Sequence, residues 1–477
     1  MNCRTRQDDW VPVCNLGELD PGTMRPIDID GLPPIALFNV AGTVHATSNI
    51  CTHNVAMLTD GTFCDHVVEC PLHGGSFDVT TGEAISYPCE VALQTFDVQV
   101  KNGTVLVAKV AADAGSAAAR DTRSEPDGTA AATTGAGEPC VVRMADSELS
   151  YTNAPGDTLL RAALRSGIGF PYECNSGGCG SCMYELASGE VIDRMPDAAG
   201  LSARARAAGK RLACQSVPQS DCVIRIRRLE EYVPPIVPRR QRLELERVTR
   251  LTRDMSEFRF RGEGPAEFLP GQYAMLGIEG THEERAYSMS NTANREGIWE
   301  FIVKRVPEGR FSPRLFGIET TPAVRVTLDG PYGTAYLRPE SPRPILCIAG
   351  GAGLSPMMSI LRGASRTPGL AGRETHLFYG GRTPQDLCDA ALLAADDALR
   401  GKIINVSAVS DSSSITDEGW SGERGFIHEV LEARLGKRFA EFEIYLSGPP
   451  AMVDAVQRML VVGHRVPVSQ IHFDRFC

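Results

Sequence analysis

Cys174, Cys179 and Cys182 stand in C-x4-C-x2-C spacing within Tyr172-Glu173-Cys174-Asn175-Ser176-Gly177-Gly178-Cys179-Gly180-Ser181-Cys182-Met183, and Cys214 follows after 31 further residues. Four thiolates at this spacing are the ligand set of a [2Fe–2S] cluster. Gly177, Gly178 and Gly180 suit a loop that curls round an inorganic core, because glycine allows positive φ and leaves N–H groups free to point at sulfur. A structural zinc site presents two paired C-x2-C knuckles, whereas here three cysteines share one loop and the fourth stands alone. A second set lies upstream, with Cys51-Thr52-His53 followed after 16 residues by Cys70-Pro71-Leu72-His73-Gly74-Gly75. Zinc fingers keep their cysteines together and their histidines together on a helix, so this Cys-His, Cys-His order is not theirs. Further on come Arg285-Ala286-Tyr287-Ser288, Gly309-Arg310-Phe311-Ser312 and Gly330-Pro331-Tyr332-Gly333. Three glycine turns follow: Gly350-Gly351-Ala352-Gly353, Gly380-Gly381-Arg382 and Gly448-Pro449. The first of these runs from a strand into a helix start, the form of a pyrophosphate cradle.

A chain of 477 residues exceeds one core and implies several domains. Hydrophobic residues at 43% and charged residues at 22% describe a globular protein, and no run of about 18 apolar residues crosses a bilayer, so no membrane segment is expected. The start lacks an apolar signal core, and fifteen cysteines without one point to metal ligation in a cytoplasmic protein. A net charge of −11 argues against nucleic acid.

Residues 1–110 hold short apolar runs broken by turn formers, such as Ile35-Ala36-Leu37-Phe38-Asn39-Val40, and predict an all-β unit. Residues 111–138 turn to Ala, Gly, Thr and Ser, the composition of a flexible linker. Over 139–232, a hairpin at Val141–Met144 and Leu149–Tyr151 precedes an amphipathic helix at Thr158–Arg165 and the four-cysteine loop. After the stiff Pro234-Pro235-Ile236-Val237-Pro238, residues 233–338 repeat strand-like runs and predict an antiparallel barrel, and residues 339–477 alternate strand and helix as an α/β unit.

The Cys51–His53 and Cys70–His73 motifs resemble the Rieske ferredoxins. That resemblance implies that Cys51 and Cys70 hold one iron and His53 and His73 the other. Imidazole donates less charge than thiolate and raises the potential. Respiratory Rieske proteins add a disulfide, and the matching positions Val55, Ala56 and Leu72 carry none. His45, His66, Cys3, Cys14, Cys64 and Cys89 fit neither ligand pattern and read as core or surface residues, and Cys140 and Cys222 as packed thiols.

Residues 139–477 resemble the reductases of benzoate and naphthalene dioxygenase systems, with a plant-type β-grasp ferredoxin, a flavin barrel and a nucleotide domain in that order. The resemblance places Arg285 on the flavin pyrophosphate, Tyr287 on the isoalloxazine and Ser288 opposite its N5. Gly309 and Ser312 hold phosphate at a helix start, and Gly350, Gly351 and Gly353 cradle the nucleotide. Gly448 and Pro449 lie beside the nicotinamide. Phe476 either shields the flavin, as relatives' terminal aromatics do, or packs the chain end; Ser288 and Phe476 are the catalytic candidates. Asp386 could accept from ribose hydroxyls and so favour NADH, whereas Arg382 could pair with the 2′-phosphate of NADPH. The phthalate-type relatives use FMN but carry their ferredoxin at the other end of the chain.

The expected function is an electron-transfer reductase serving a separate oxygenase in aromatic hydrocarbon catabolism. Plant-type clusters sit near −400 mV and Rieske centres at about −150 mV or above, so transfer from one to the other is downhill by roughly 6 kcal/mol per electron. A self-sufficient oxidoreductase acting on its own substrate would need a further iron or haem ligand set, and none stands unassigned in the sequence. A third reading makes the Rieske unit a docking module. Two [2Fe–2S] clusters predict about four irons per chain with one FAD; metal analysis and chromatography of the extracted flavin check this, and about two irons, or FMN, would contradict it.

Overall fold

The computed structural model describes residues 10–72, 74–86, 88–111, 138–145, 147–226, 228–281, 283–317, 325–411, 413 and 420–475. The expected linker over 111–138 falls almost wholly outside the described residues, and His73 and Phe476 fall wholly outside. The chain divides into two compact units, Met1–Ala131 with Gln457–Val468 and Ala132–Val456 with Ser469–Cys477. Among the described residues no helix is long and apolar enough to cross a membrane.

In the first unit the predicted β character is realised as two antiparallel sheets. The larger runs, edge to edge, Trp10–Asn15, Thr104–Ala111, Thr95–Lys101, Thr43–Ser48, Ile35–Val40 and Met24–Ile27. Its buried face carries Ile35, Leu37, Val44, Phe96, Val105 and Val107. The smaller sheet, Thr62–Cys64, Val67–Glu69, Ser76–Asp78 and Ala84–Ser86, has three-residue strands whose connections carry the chemistry. Cys70 leaves the end of Val67–Glu69, and Cys51 leaves the end of Thr43–Ser48.

The second unit opens with a mixed sheet ordered Ser150–Asn153, Cys140–Met144, Cys222–Arg225, Met183–Ser188, Lys210–Leu212. The hairpin expected at Val141–Tyr151 is present, and Thr158 caps the helix Leu159–Arg165 by accepting from the Arg161 N–H at 3.3 Å. That helix is not amphipathic as expected. Leu159 through Leu164 are all buried, Arg161 included, because a neighbouring barrel covers the face that would otherwise meet water.

The barrel sheet is antiparallel, ordered Glu284–Ser288, Tyr273–Ile278, Val326–Tyr332, Arg239–Arg250, Met255–Gly262, Ile298–Lys304. A bridge between Met289 and Phe301 joins its two edges and closes it. Alternation sends Phe258 and Phe260 inward to meet Phe301, Phe268 and Trp299. The last sheet is parallel throughout, ordered Glu423–Arg424, Ile404–Val409, Thr375–Gly381, Ile345–Gly350, Glu443–Gly448, Ile471–Arg475. Chain order reverses at Ile345–Gly350, so the crevice beyond its C-terminal end is the place where such sheets bind ligands. Gly350 and Gly351 stand at that crevice.

Candidate functional site

The four plant-type cysteines come together. Cys182 is 2% exposed and Cys214 1%, and the Ala213 N–H donates to the Cys182 carbonyl at 3.0 Å, which brings the distant fourth ligand beside the loop. The N–H groups of Ser176, Gly178 and Cys179 all point at Cys174 Sγ, at 3.4, 3.3 and 3.4 Å. Gln215 Nε2 adds a donor to Cys214 Sγ at 3.5 Å. Backbone donors converging on sulfur are what a thiolate-held cluster needs, so the residues fit the [2Fe–2S] group. The Cys174 sulfur and burial push the Cys179 thiol up, and the Cys214 sulfur and burial do the same to Cys182.

In the first unit Cys51 and Cys70 are buried at 4% and 3% exposure and His53 is half-buried. Each cysteine starts a tight loop: the Cys51 N–H donates to the Ala56 carbonyl at 2.9 Å, and the Cys70 N–H to the Gly75 carbonyl at 2.8 Å. The Cys70 sulfur lowers the Cys51 thiol, the condition in which it ligates iron. Cys89, read from sequence as an ordinary core or surface residue, lies with Sγ 3.6 Å from Cys51 Sγ. A Cβ on Gly75 would stand 2.3 Å from Cys89 Sγ, so only glycine admits this approach. The Cys51 sulfur and burial push the Cys89 thiol up.

A cavity of about 660 Å3 opens between the barrel and the parallel sheet. It gathers Arg285, Tyr287, Ser288, Gly309, Ser312, Gly350, Gly351, Arg382, Asp386 and Pro449, which sequence reasoning had drawn from five separate motifs. This apolar-walled cleft with a few polar groups has the size and make-up of a site for a flavin and a nicotinamide. Tyr287 lies 5.6 Å ring to ring from Phe311. Ser288 is held by its own carbonyl, which accepts from Ser355 Oγ at 2.7 Å.

Four of the candidate residues also have structural work. Gly353 and Gly448 stand behind the cavity wall: a Cβ on Gly353 would come within 2.1 Å of the Ser447 carbonyl, so its smallness serves helix-to-strand packing. The Ser312 hydroxyl accepts the Val306 N–H at 2.9 Å, and the short helix Ser312–Phe316 has Pro313 without an N–H, leaving a sparser phosphate cradle than expected. Asp386 is buried, with Oδ2 accepting from the Thr383 N–H and hydroxyl at 3.0 Å each and Oδ1 paired with Arg253 at 3.0 Å. Its carboxylate is committed to capping a turn, whereas Arg382 is exposed at the rim. Missed by sequence reasoning were Ser410 and Gly425-Phe426-Ile427, which line the cavity from a segment without any recognisable motif.

A second cavity of about 90 Å3 has Glu173, Cys174 and Ser176 of the cluster loop on one wall and Arg285 and Ser288 on the other, with Phe473 and Asp474 beside them. Burial and Glu173 push the Asp474 carboxyl up to about 7. The four-cysteine loop and the flavin-type strand therefore line one cavity.

Four family models match the chain: Rieske [2Fe-2S] domain over residues 9–97, 2Fe-2S iron-sulfur cluster binding domain over 142–219, oxidoreductase FAD-binding domain over 242–336 and oxidoreductase NAD-binding domain over 347–458. A ferredoxin–NAD(P)+ reductase of Metapseudomonas resinovorans, CarAd, is 48% identical over 327 residues, 68% of this chain and 96% of its own. The ferredoxin–NAD+ reductase component of an alkene monooxygenase system from Xanthobacter autotrophicus is 37% identical, covering 69% and 98%. The solved ferredoxin reductase in carbazole 1,9a-dioxygenase superposes with a TM-score of 0.65 at 42% identity, over 71% of this chain and 99% of that one.

Two outcomes are expected. Cys51→Ser should lose about two irons per chain while Cys89→Ala keeps about four, read by metal analysis. Asp386→Ala should cost about 1 kcal/mol of stability through loss of its cap, with KM for NADH changed less than about twofold, whereas Arg382→Ala should lower kcat/KM for NADPH more than for NADH; thermal unfolding and steady-state kinetics check the pair.

Proposed function

The chain belongs to the ferredoxin–NAD(P)+ reductases, and on that premise we propose that it passes electrons from NAD(P)H through FAD and the plant-type cluster to the Rieske cluster and on to a separate terminal oxygenase. It is an oxidoreductase with an FAD domain, an NAD domain and two kinds of [2Fe–2S] domain. A flavin supplies the conversion between a two-electron hydride and the single electrons that iron–sulfur clusters carry. The observation that carries the reading is the cavity lined by both Cys174 and Ser288.

The residues have distinct work in this scheme. Gly350, Gly351 and Pro449 receive the nucleotide at the point where the parallel sheet reverses order. Tyr287 and Phe311 offer aromatic surface for the flavin ring and exclude water from it, and Ser288 is presented by a strand that Ser355 clamps from the nucleotide side. Cys174, Cys179, Cys182 and Cys214 hold the first cluster; Cys51, His53, Cys70 and His73 hold the second. Domain limits at 110, 138, 232 and 338 follow the motif spacing. A cytoplasmic setting is supported by the cysteines, none of which is in a disulfide among the described residues.

Replacing His73 with Ala should leave reduction of ferricyanide by NAD(P)H near the parent rate and abolish product formation by the partner oxygenase. If turnover of the oxygenase persisted near the parent rate, the Rieske unit would be a docking module and electrons would leave from the plant-type cluster.

A further inference from the structure

The contact between the cluster loop and the flavin-type strand is built round one buried cation. Arg161, 2% exposed, projects from the helix Leu159–Arg165. Its Nε donates to Asn175 Oδ1 at 3.3 Å, and Nη1 donates to Glu284 Oε2 at 2.7 Å and Asp329 Oδ2 at 3.5 Å. Asn175 is the residue after ligand Cys174 and takes a left-handed φ of 51°, a conformation that asparagine tolerates but does not prefer. Glu284 directly precedes Arg285 and begins the strand Glu284–Ser288. One guanidinium thus touches the cluster loop, the flavin-type strand and the barrel strand Val326–Tyr332.

Neighbouring charges complete the junction. Arg165 Nη2 meets both Asp329 oxygens at 2.6 Å, and its Nη1 meets Asp157 at 2.6 Å. Arg240 Nε reaches Asp329 at 3.1 Å and its Nη2 reaches Asp157 at 2.9 Å. Burial would raise the Asp329 carboxyl, but Arg161, Arg165 and Arg240 outweigh it and hold it low, so the network stays ionised. Such a network adds little net stability, since desolvation offsets the attraction. It does select register, because a shifted docking would leave charges buried without partners.

We propose that Arg161 is a positioning residue for electron transfer out of the flavin site, holding the four-cysteine loop through Asn175 and the flavin-contacting strand through Glu284 at one fixed separation. The proposal rests on the electron route given above. NAD(P)H supplies two electrons and a proton as hydride; the electrons cross singly from the flavin site to the four-cysteine site, and the proton is released to solvent.

Anaerobic rapid mixing of the full chain with NADH or NADPH separates bleaching of the flavin from reduction of the plant-type cluster. Arg161→Gln should leave the first phase within about twofold of the parent and slow the second by about tenfold or more, with Arg161→Lys between them because ammonium keeps the charge but not the fork. The cluster phase of the parent should be indifferent to salt between ~50 and ~500 mM, since the ions are buried, and that of Arg161→Gln should depend on it. The electron paramagnetic resonance spectrum and midpoint potential of the plant-type cluster should match the parent, which a general loss of structure would not allow. A cluster phase at the parent rate in Arg161→Gln overturns the proposal. Should that variant not fold, Arg161→Lys and Asn175→Gly read the same phase, and parent rates in both overturn it. Photochemical reduction of the flavin gives the second phase without nucleotide, so failure of NADH and NADPH to bleach the parent would count against the electron route alone.

Discussion

The position of the four-cysteine loop is set by hydrogen bonds to the barrel as much as by its own domain. Tyr273 donates its hydroxyl to the Glu173 carbonyl at 2.7 Å, and the Gly333 N–H donates to the Tyr172 hydroxyl at 2.8 Å. Both tyrosines flank Cys174 in sequence or in space, and both are buried with their rings packed on Tyr332, at 6.3 Å for Tyr172 and 6.0 Å for Tyr273. Tyr273 also pairs in register with Ser288 across the strands. A single aromatic residue therefore faces the flavin-type strand along its backbone and the cluster loop through its hydroxyl. Electron transfer needs its two sites close and still, and buried hydroxyls with fixed partners supply stillness at little entropic cost.

The nucleotide side is fastened by different chemistry. The helix Leu354–Arg366 sends Ser355 to the Ser288 carbonyl, Ser359 to the Asn291 carbonyl at 2.6 Å and Arg362 to the Ser290 carbonyl at 2.7 Å. Ser355 also accepts the Ile302 N–H at 3.1 Å, and Ser359 the Gly271 N–H at 3.3 Å. Small hydroxyls bridge backbone groups that barrel closure leaves unpaired, so one helix satisfies several buried donors and acceptors at once. The segment that begins as the glycine turn Gly350–Gly353 continues as the clamp on the flavin-type strand.

Cluster-binding chemistry was legible in the sequence because it constrains both residue type and spacing, whereas the glycine turns told only in part which glycines line the cavity: Gly350 and Gly351 do, Gly353 and Gly448 do not. Strands such as Met255–Gly262 were legible from their alternation. What stayed hidden depends on which surface meets which. Arg161 reads as the polar side of an amphipathic helix until the barrel is seen to cover it, and Cys89 has no partner at motif spacing although it ends 3.6 Å from Cys51. Asp386 sits at a position suited to ribose recognition, yet Thr383, three residues earlier, claims it as a cap. Phe426 and Ile427 enter the cavity from a strand-to-helix turn whose residues resemble any helix start.

The two cluster sites differ in how they are embedded. The plant-type loop is built into the unit that also holds the flavin-type strand, with its helix buried on all faces and its charges neutralised across the junction. The Rieske cysteines belong to a unit with its own core of Leu37, Val44, Phe96 and Val105, and its exposed apolar side chains include Ile85 at 53% and Val91 at 65%, on either side of Cys89. A site that receives electrons from a neighbour in the same unit gains from rigid burial. Apolar side chains left in water, as Ile85 and Val91 are, are the usual material of a transient contact.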